Sequence, residues 1–325
     1  MVRPVRFGIV GTGKISERFA AAVFRTRGAE LTAVYSRKHD TGAAFSSRTA
    51  PVRVFSDYEE FLGFPDTDAV YIASPILFHE AQTLAALRAG KHVLCEKSLT
   101  TDLPSALRMR DEAEKQGKVL IEAMRTAYDP AFSLLRETLP RLGTVRRVFL
   151  EYAQYSSRYD AFLSGEVKNA FDPSLKNSAL SDIGVYPLHL CLALFGAPLS
   201  LDSRSVFLHN GFEGEGTVLL RYPAFCAEIS YSKIRQGSVP SVIEGENATL
   251  TLDAVNPPKS ILFTDKTGSA IPLPLTPATP DNMHLELEAF LSMIRGETDP
   301  APHLAATLLT MEMMDRVVKN SHIFG

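Results

Sequence analysis

Cysteine is scarce in this chain: Cys95, Cys191 and Cys226 are the only three among 325 residues. They are too few and too scattered for a disulfide framework or a zinc site, so no metal is expected. Each stands in an apolar run, where a buried, inert thiol is expected. A reducing, cytoplasmic compartment is the default reading of such usage. Excess charge of either sign is lacking too, since 34 Lys and Arg against 37 Asp and Glu leave a formal net charge of −3. That excludes the basic footprint of a nucleic-acid binder or of a protein held on an anionic membrane. Long hydrophobic runs are also missing. The longest, 188–199, contains Gly196 and Pro198 and is too short to span a bilayer. The opening Met1-Val2-Arg3-Pro4-Val5-Arg6 has no signal-peptide core, and a soluble protein is expected.

What is present is an ordinary globular composition, 45% hydrophobic and 22% charged, in a length that predicts two domains. Residues 5–10 form an apolar run ending at a glycine turn, which reads as a buried parallel strand, and a helix over 14–25 follows. The alternation continues with strands at 31–35, 69–73, 92–95 and 119–123. Helices are predicted at 40–48, at 78–89 and from Asp102 to Gly117, with Pro104 just inside the last. Ser56 and Glu59 have capping-box spacing for a short helix through Leu62, and Asp129-Pro130 opens another. This rhythm predicts right-handed crossovers and a doubly wound parallel sheet, an α/β Rossmann domain over 1–125.

After Gly143 the pattern changes to strands at 145–155, 216–222, 226–233, 239–244, 248–253 and 260–264. Their connections are mostly too short for parallel crossovers. A proline-rich passage (Pro272, Pro274, Pro277, Pro280) then leads into a final helical stretch. Residues 126–325 are therefore expected to form an α+β domain with a large, mostly antiparallel sheet. Val218-Leu219-Leu220 and Glu228-Ile229-Ser230-Tyr231 give that sheet two semi-apolar faces, one suited to helices and one to a partner subunit.

The chemistry collects at one edge of the parallel sheet. Gly11-Thr12-Gly13-Lys14-Ile15-Ser16 follows the first strand and opens a helix. This is a dinucleotide turn: Gly11 permits the bend, Gly13 lets backbone amides approach a pyrophosphate, and the helix N-terminus meets the negative charge. Ser16 stands where a third glycine often sits. At the end of the second strand, where NAD enzymes carry an acid for the ribose hydroxyls, the chain reads Tyr35-Ser36-Arg37-Lys38. A serine hydroxyl and a guanidinium fork suit a 2′-phosphate instead. NADP is thus the expected cofactor, with NAD the alternative. Ser74-Pro75, His79, Glu96-Lys97 and the run from Glu122 to Arg125 fall at the same edge. Ligands bind outside the carboxyl ends of strands in open α/β sheets, so one cleft should receive them all.

The run Ala89-Gly90-Lys91-His92-Val93-Leu94-Cys95-Glu96-Lys97, with the glycine turn, Ser74-Pro75 and His79, resembles the Gfo/Idh/MocA oxidoreductase family. Glu122-Ala123-Met124 and Asp182-Ile183-Gly184-Val185-Tyr186-Pro187 extend the likeness into the second half. The combination is most similar to the branch that contains dimeric dihydrodiol dehydrogenase (trans-1,2-dihydrobenzene-1,2-diol dehydrogenase). The resemblance implies NADP-dependent hydride transfer to or from a secondary alcohol or ketone of a sugar-like polyol, cyclitol or dihydrodiol. It also implies a homodimer or homotetramer.

Hydride transfer from a carbinol leaves an alkoxide proton to be removed, and Lys97 is the candidate general base, or general acid in reduction. By the family pattern Asp182 and Tyr186 attend the substrate, four residues apart on one helical face. Arg125 joins them as a candidate for a carboxylate or phosphate, as do Arg158, Lys176 and Arg235, although each also reads as a solvated surface charge. Two departures stand out. Ser98 replaces the proline that usually follows Glu-Lys, and a non-proline peptide is expected to be trans, which unsettles the aim of Lys97. Arg125 and Thr126 take positions where that branch tends to carry an aromatic, and the chain has no tryptophan, which argues against a simple aryl diol.

Blander readings accompany these. Ser181 and Asp182 are good N-caps for a helix running to Phe195, and Pro187 sits awkwardly inside it. His189 reads as a packed helix residue, and His79 as either a cofactor contact or a cap. A non-catalytic regulator sensing NADP or a sugar on the same fold is the alternative function; Lys97, Asp182 and Tyr186 favour the enzyme, Ser98 the regulator. A third reading is a reductase of an open-chain conjugated substrate.

Overall fold

The computed structural model describes residues 3–275 and 282–320, and the backbone of 322–323. Six strands, β1 (Val5–Val10), β2 (Ala29–Tyr35), β3 (Arg53–Phe55), β4 (Ala69–Ile72), β5 (His92–Glu96) and β6 (Leu120–Ala123), form one sheet. Its order is β3-β2-β1-β4-β5-β6 and every neighbouring pair is parallel. The order reverses between β1 and β4, the switch point where such sheets open a crevice at their strand ends. Helices α1 (Lys14–Arg25), α2 (His39–Arg48), α3 (Tyr58–Leu62), α4 (His79–Arg88) and α5 (Leu103–Gln116) connect the strands. The doubly wound α/β sheet expected from the alternation is present.

Local signals set most boundaries. Asp102 caps α5 by accepting from Ser105 N–H at 2.8 Å, and Gly117 closes the helix in the left-handed region at φ 61°. The cap of α3 is Asp57, which accepts from Glu60 N–H at 2.9 Å, so the expected Ser56–Glu59 box is not the one used. An aspartate one position further on reaches the same kind of first-turn amide. The helix expected at 78–89 begins as a 3-10 turn over Ile76–Phe78. In the core, Phe19 of α1 stacks on Tyr71 of β4 at 3.8 Å and meets Phe7 of β1 edge-on at 5.6 Å.

Beyond these lie α6 (Pro130–Thr138), β7 (Val145–Ala153), α7 (Tyr159–Leu163), α8 (Val185–Phe195) and β8 (Ser200–Phe207). They are followed by β9 (Glu213–Arg221), β10 (Cys226–Ser232), β11 (Ser241–Gly245), β12 (Ala248–Leu252), β13 (Ile261–Asp265) and β14 (Ala270–Pro272), then α9 (Met283–Ile294), α10 (Ala301–Asn320) and β15 (His322–Ile323). The second sheet runs β14-β13-β12-β11-β7-β10-β9-β8-β15 and is mostly antiparallel, as expected. Its centre departs from the hairpin pattern, because β7 and β10 pair in parallel. The long excursion through α7, α8, β8 and β9 supplies the crossover such a pair needs. Of the proline-rich passage, Pro277 and Pro280 lie outside the described residues.

The chain divides into two compact units. The first is Met1–Arg125 with Pro280–Leu308, the second Thr126–Thr279 with Leu309–Gly325. A contiguous split into 1–125 and 126–325 leaves out the return of Pro280–Leu308 to the first unit. Phe290 of α9 packs on Phe7 there, with ring centroids 6.2 Å apart. The thiols also differ from expectation. Cys95 and Cys191 are buried, but Cys226 is exposed, since β10 turns Ala227 and Ile229 inward and its first residue outward. Among the described residues no helix is long and apolar enough to cross a membrane.

Candidate active site

The strand ends of the first sheet bring the expected residues to one edge. Gly11 has φ 103°, and a Cβ there would lie 2.9 Å from the Ala73 carbonyl, so the turn after β1 and the end of β4 approach as only glycine allows. Gly13 is the N-cap of α1 with no side-chain cap, and nothing lies within 4 Å of where its Cβ would be. Space is therefore open at Gly13, where the α1 N-terminus begins and where a pyrophosphate would meet first-turn amides. Ser16, at the position often taken by a third glycine, is fully buried.

At the end of β2, Ser36 is buried with its amide bonded to the Phe55 carbonyl, and the Arg37 guanidinium lies 5.6 Å from the Phe78 ring centroid. Arg37 is therefore held against the loop that follows β4. Lys38, next in the chain, is the N-cap residue of α2. No carboxylate follows β2 before Asp40, so this edge fits a 2′-phosphate. In the loop after β4, Ser74 Oγ donates to Gln82 Oε1 at 2.6 Å.

His79 is buried, with Nε2 2.8 Å from the Ser74 carbonyl and Nδ1 3.0 Å from the Ser98 carbonyl. Burial lowers its pKa against the opposing pull of these carbonyls, and a neutral ring donates through one nitrogen, to one carbonyl or the other, where the loops after β4 and β5 meet it. It does not serve as the side-chain cap weighed from sequence.

Lys97 follows β5. Its amide donates to Glu96 Oε2 at 3.2 Å, and Glu96 also accepts from the Tyr71 hydroxyl. Burial raises the Glu96 carboxyl, while Tyr71, Lys97 and Arg125 pull it back down. The Lys97–Ser98 peptide is cis, against the trans form expected of a non-proline bond. Contacts hold it on both sides: the Ser98 carbonyl faces His79, and Leu99 N–H donates to Glu122 Oε1 at 2.8 Å.

Glu122 is the residue of this edge to which the sequence reading gave no role. It is enclosed in β6, and Thr307 of α10 donates to its other oxygen at 3.0 Å. Burial pushes its carboxyl up to about 7 from 4.5, against the pull of the Leu99 amide and the Thr307 hydroxyl. The fold thus favours the protonated form, so its contribution to stability is full below about 4.5 and is lost as pH rises through about 7. Glu122→Gln mimics the neutral carboxyl and should remove that slope. At alkaline pH the variant is expected to be more stable than the parent, by up to about 3 kcal/mol. Melting temperatures of both proteins on either side of this window check it, and parallel pH profiles would refute it.

The other substrate candidates belong to the second unit. Asp182 lies in a π turn over Leu180–Gly184, where Val185 N–H donates to Leu180 O, five residues back. The wider turn precedes Pro187, whose ring would otherwise crowd the carbonyl of residue 183. Asp182 is not an N-cap. Its Oδ2 pairs with Lys233 Nζ at 2.8 Å, a partner the sequence gave no reason to name. Tyr186, on the first turn of α8, is largely buried, with its ring centroid 5.8 Å from that of Tyr152. His189 is buried in α8. Arg235 pairs with Glu151 at 2.9 Å and Glu215 at 3.1 Å, an ion-pair network on the sheet. Among the described residues no cluster of His, Cys, Asp and Glu is arranged to hold a metal.

Against known proteins, residues 5–124 match the Gfo/Idh/MocA oxidoreductase family with its NAD-binding Rossmann fold. The chain is 40% identical over 295 residues to scyllo-inositol 2-dehydrogenase (NADP(+)) of Bacillus subtilis (strain 168), covering 90% of this chain and 88% of the relative. The chain belongs to the Gfo/Idh/MocA oxidoreductase family. The likeness to trans-1,2-dihydrobenzene-1,2-diol dehydrogenase of Mus musculus is lower, 28% over 223 residues, covering 67% of this chain and 65% of that enzyme. The inositol dehydrogenase therefore stands nearer than the dihydrodiol branch expected from motifs alone. Among solved structures, the 3-ketoreductase from Actinomadura kijaniata, crystallised with NADP and TDP-benzene, superposes with a TM-score of 0.90 over 99% of both chains at 24% identity. That likeness shows the fold of this Gfo/Idh/MocA member.

Proposed function

We propose that the protein is an NADP-dependent dehydrogenase or reductase acting on a secondary alcohol or ketone of a sugar-like polyol or cyclitol, an inositol among the first candidates. The observation that carries this reading is Lys97 directly after the carboxyl end of β5, on the same sheet edge as the glycine turn. The likeness to an NADP(+) scyllo-inositol dehydrogenase supports both the cofactor and the substrate class.

When bound, NADP supplies the nicotinamide carbon that accepts or returns a hydride. The backbone from Gly11 through Ile15 holds the pyrophosphate, Ser36, Arg37 and Lys38 hold the 2′-phosphate, and the loop of Ser74 and Pro75, tied by His79, borders the cofactor. Glu96 supports Lys97 from the preceding position. Lys97 takes the hydroxyl proton in oxidation and returns it in reduction. To take that proton Lys97 must carry its neutral amine, a form that a like charge beside it would favour. To Asp182, Tyr186 and Arg125 we assign the substrate: a carboxylate accepting from one hydroxyl, a phenol sharing the proton relay, and a guanidinium for a polar substituent. A panel of inositols, other cyclitols, sugars and their ketones, followed by NADPH absorbance, tests the reading. Turnover of at least one polyol–ketone pair is expected, and binding of NADP with no turnover across the panel would favour the regulator.

The same proposal includes a homodimer or homotetramer formed through the second sheet, on whose outer face Leu219 is 48% exposed between the buried Val218 and Leu220. Sedimentation at micromolar concentration is expected to give a dimer or tetramer, and a monomer would contradict it.

A further inference from the structure

Lys233 follows β10, and neither the motif pattern nor the reading above gives it a part. Lysine is almost never enclosed without a reason, yet here the side chain is 5% exposed. Its ammonium donates to the Ala170 carbonyl at 2.9 Å and lies 5.0 Å from the centroid of Phe171 and 5.3 Å from that of Phe212. The two rings are themselves 4.7 Å apart. The backbone at Lys233 is pinned too, its N–H to the Gly214 carbonyl and its C=O to Ser156 N–H, both at 2.9 Å. A cation is thus fixed over two neighbouring aromatic rings, which attract it electrostatically and limit the access of water.

The pair it makes with Asp182 is lopsided. The lysine is enclosed, while the Asp182 side chain is 44% exposed at the other end of a 2.8 Å contact. A surface ion pair is exposed on both sides, and a packing pair is buried on both. Here a fixed internal cation presents a carboxylate outward, from a π turn whose irregular hydrogen bonding would otherwise leave its aim loosely defined. We propose that Lys233 is a positioning residue, which holds the Asp182 carboxylate charged and oriented to accept a hydroxyl of the polyol substrate. The inference rests on the assignment of Asp182 to substrate made above. It extends that assignment to the aromatic pair of Phe171 and Phe212, which sets where the charge sits.

The test is a double-mutant cycle on the full-length protein, read with the polyol identified by the panel. Asp182→Asn should raise KM for the polyol about 10–100-fold, the weight of a hydrogen bond to a charged group. Lys233→Met keeps an apolar stem of similar length beside the rings and removes the charge. It should raise the same KM about tenfold or more, with kcat and the affinity for NADPH little changed. In the Asp182→Asn background, Lys233→Met should then add almost nothing, because the group it positions has already gone. Lys233→Arg, which keeps the charge, should recover part of the loss. If Lys233→Met does not fold, Lys233→Gln, which retains a donor for Ala170, is carried through the same cycle.

The outcomes separate the two claims. A normal KM in Asp182→Asn removes Asp182 from the substrate and the inference with it. A damaged Asp182→Asn beside a Lys233 variant of unchanged KM overturns the inference alone. So do effects that multiply in the double variant, or a Lys233 variant that loses kcat and NADPH affinity as much as polyol affinity.

Discussion

Lys97→Ala lowers kcat by about 10²–10⁴-fold in both directions, the usual contribution of a positioned acid–base group, and leaves NADPH binding intact. The size follows from what the amine is asked to do. Removal of a hydride from a carbinol carbon leaves a hydroxyl proton that water alone removes poorly, and Lys97 is the proton acceptor assigned to the end of β5. The binding side is preserved because the glycine turn, the α1 N-terminus and the Arg37 loop are built from other residues. Alanine also keeps the backbone N–H that donates to Glu96. Lys97→Arg should be nearly as inactive, since a guanidinium does not give up its proton at working pH. Steady-state kinetics with fluorescence titration of NADPH check both halves, and an unchanged kcat in Lys97→Ala removes the residue from the mechanism.

Arg37→Ala is the second large effect. A guanidinium bonded to a phosphate is worth about 1.5–3 kcal/mol, so kcat/KM for NADP should fall roughly 10–100-fold. The value for NAD, which has no 2′-phosphate, should change little. Adding Ser36→Asp places a carboxylate where NAD enzymes hold the ribose hydroxyls and should carry the preference over to NAD. Paired kcat/KM measurements with the two cofactors read the switch. A parent enzyme that prefers NAD tenfold, or a variant that loses both cofactors equally, would contradict this reading of the loop.

The first sheet was legible because its information is local. Most strands are apolar runs closed by a glycine, serine or charged residue, and α3 and α5 carry their own caps, Asp57 and Asp102, with Gly117 closing α5. The glycine turn, Arg37 and Lys97 could be placed on one edge because parallel order alone puts all carboxyl ends together. What could not be read depends on partners far along the chain. Glu122 looks like a misplaced charge in an apolar strand until Thr307, 185 residues on, is brought to it.

Lys233 is one of many lysines in the sequence, and only the folded chain sets it over Phe171 and Phe212. The same holds for the return of Pro280–Leu308 to the first unit and for the parallel pairing of β7 with β10. Strand β8 was missed for a different reason. Its Ser-Leu-Asp-Ser-Arg-Ser-Val-Phe sequence turns small serines inward, so the usual apolar alternation is faint.

Direct hydride transfer is the claim on which the functional account stands. It is tested by incubating the enzyme with oxidised NADP and a polyol substrate deuterated at its reacting carbon, then locating the label by mass spectrometry. The account predicts that the deuterium appears at the reactive ring carbon of NADPH in step with ketone formation, and that the label does not exchange with water. Deuterium released to solvent, or no reduced nicotinamide at saturating polyol and cofactor, would contradict it.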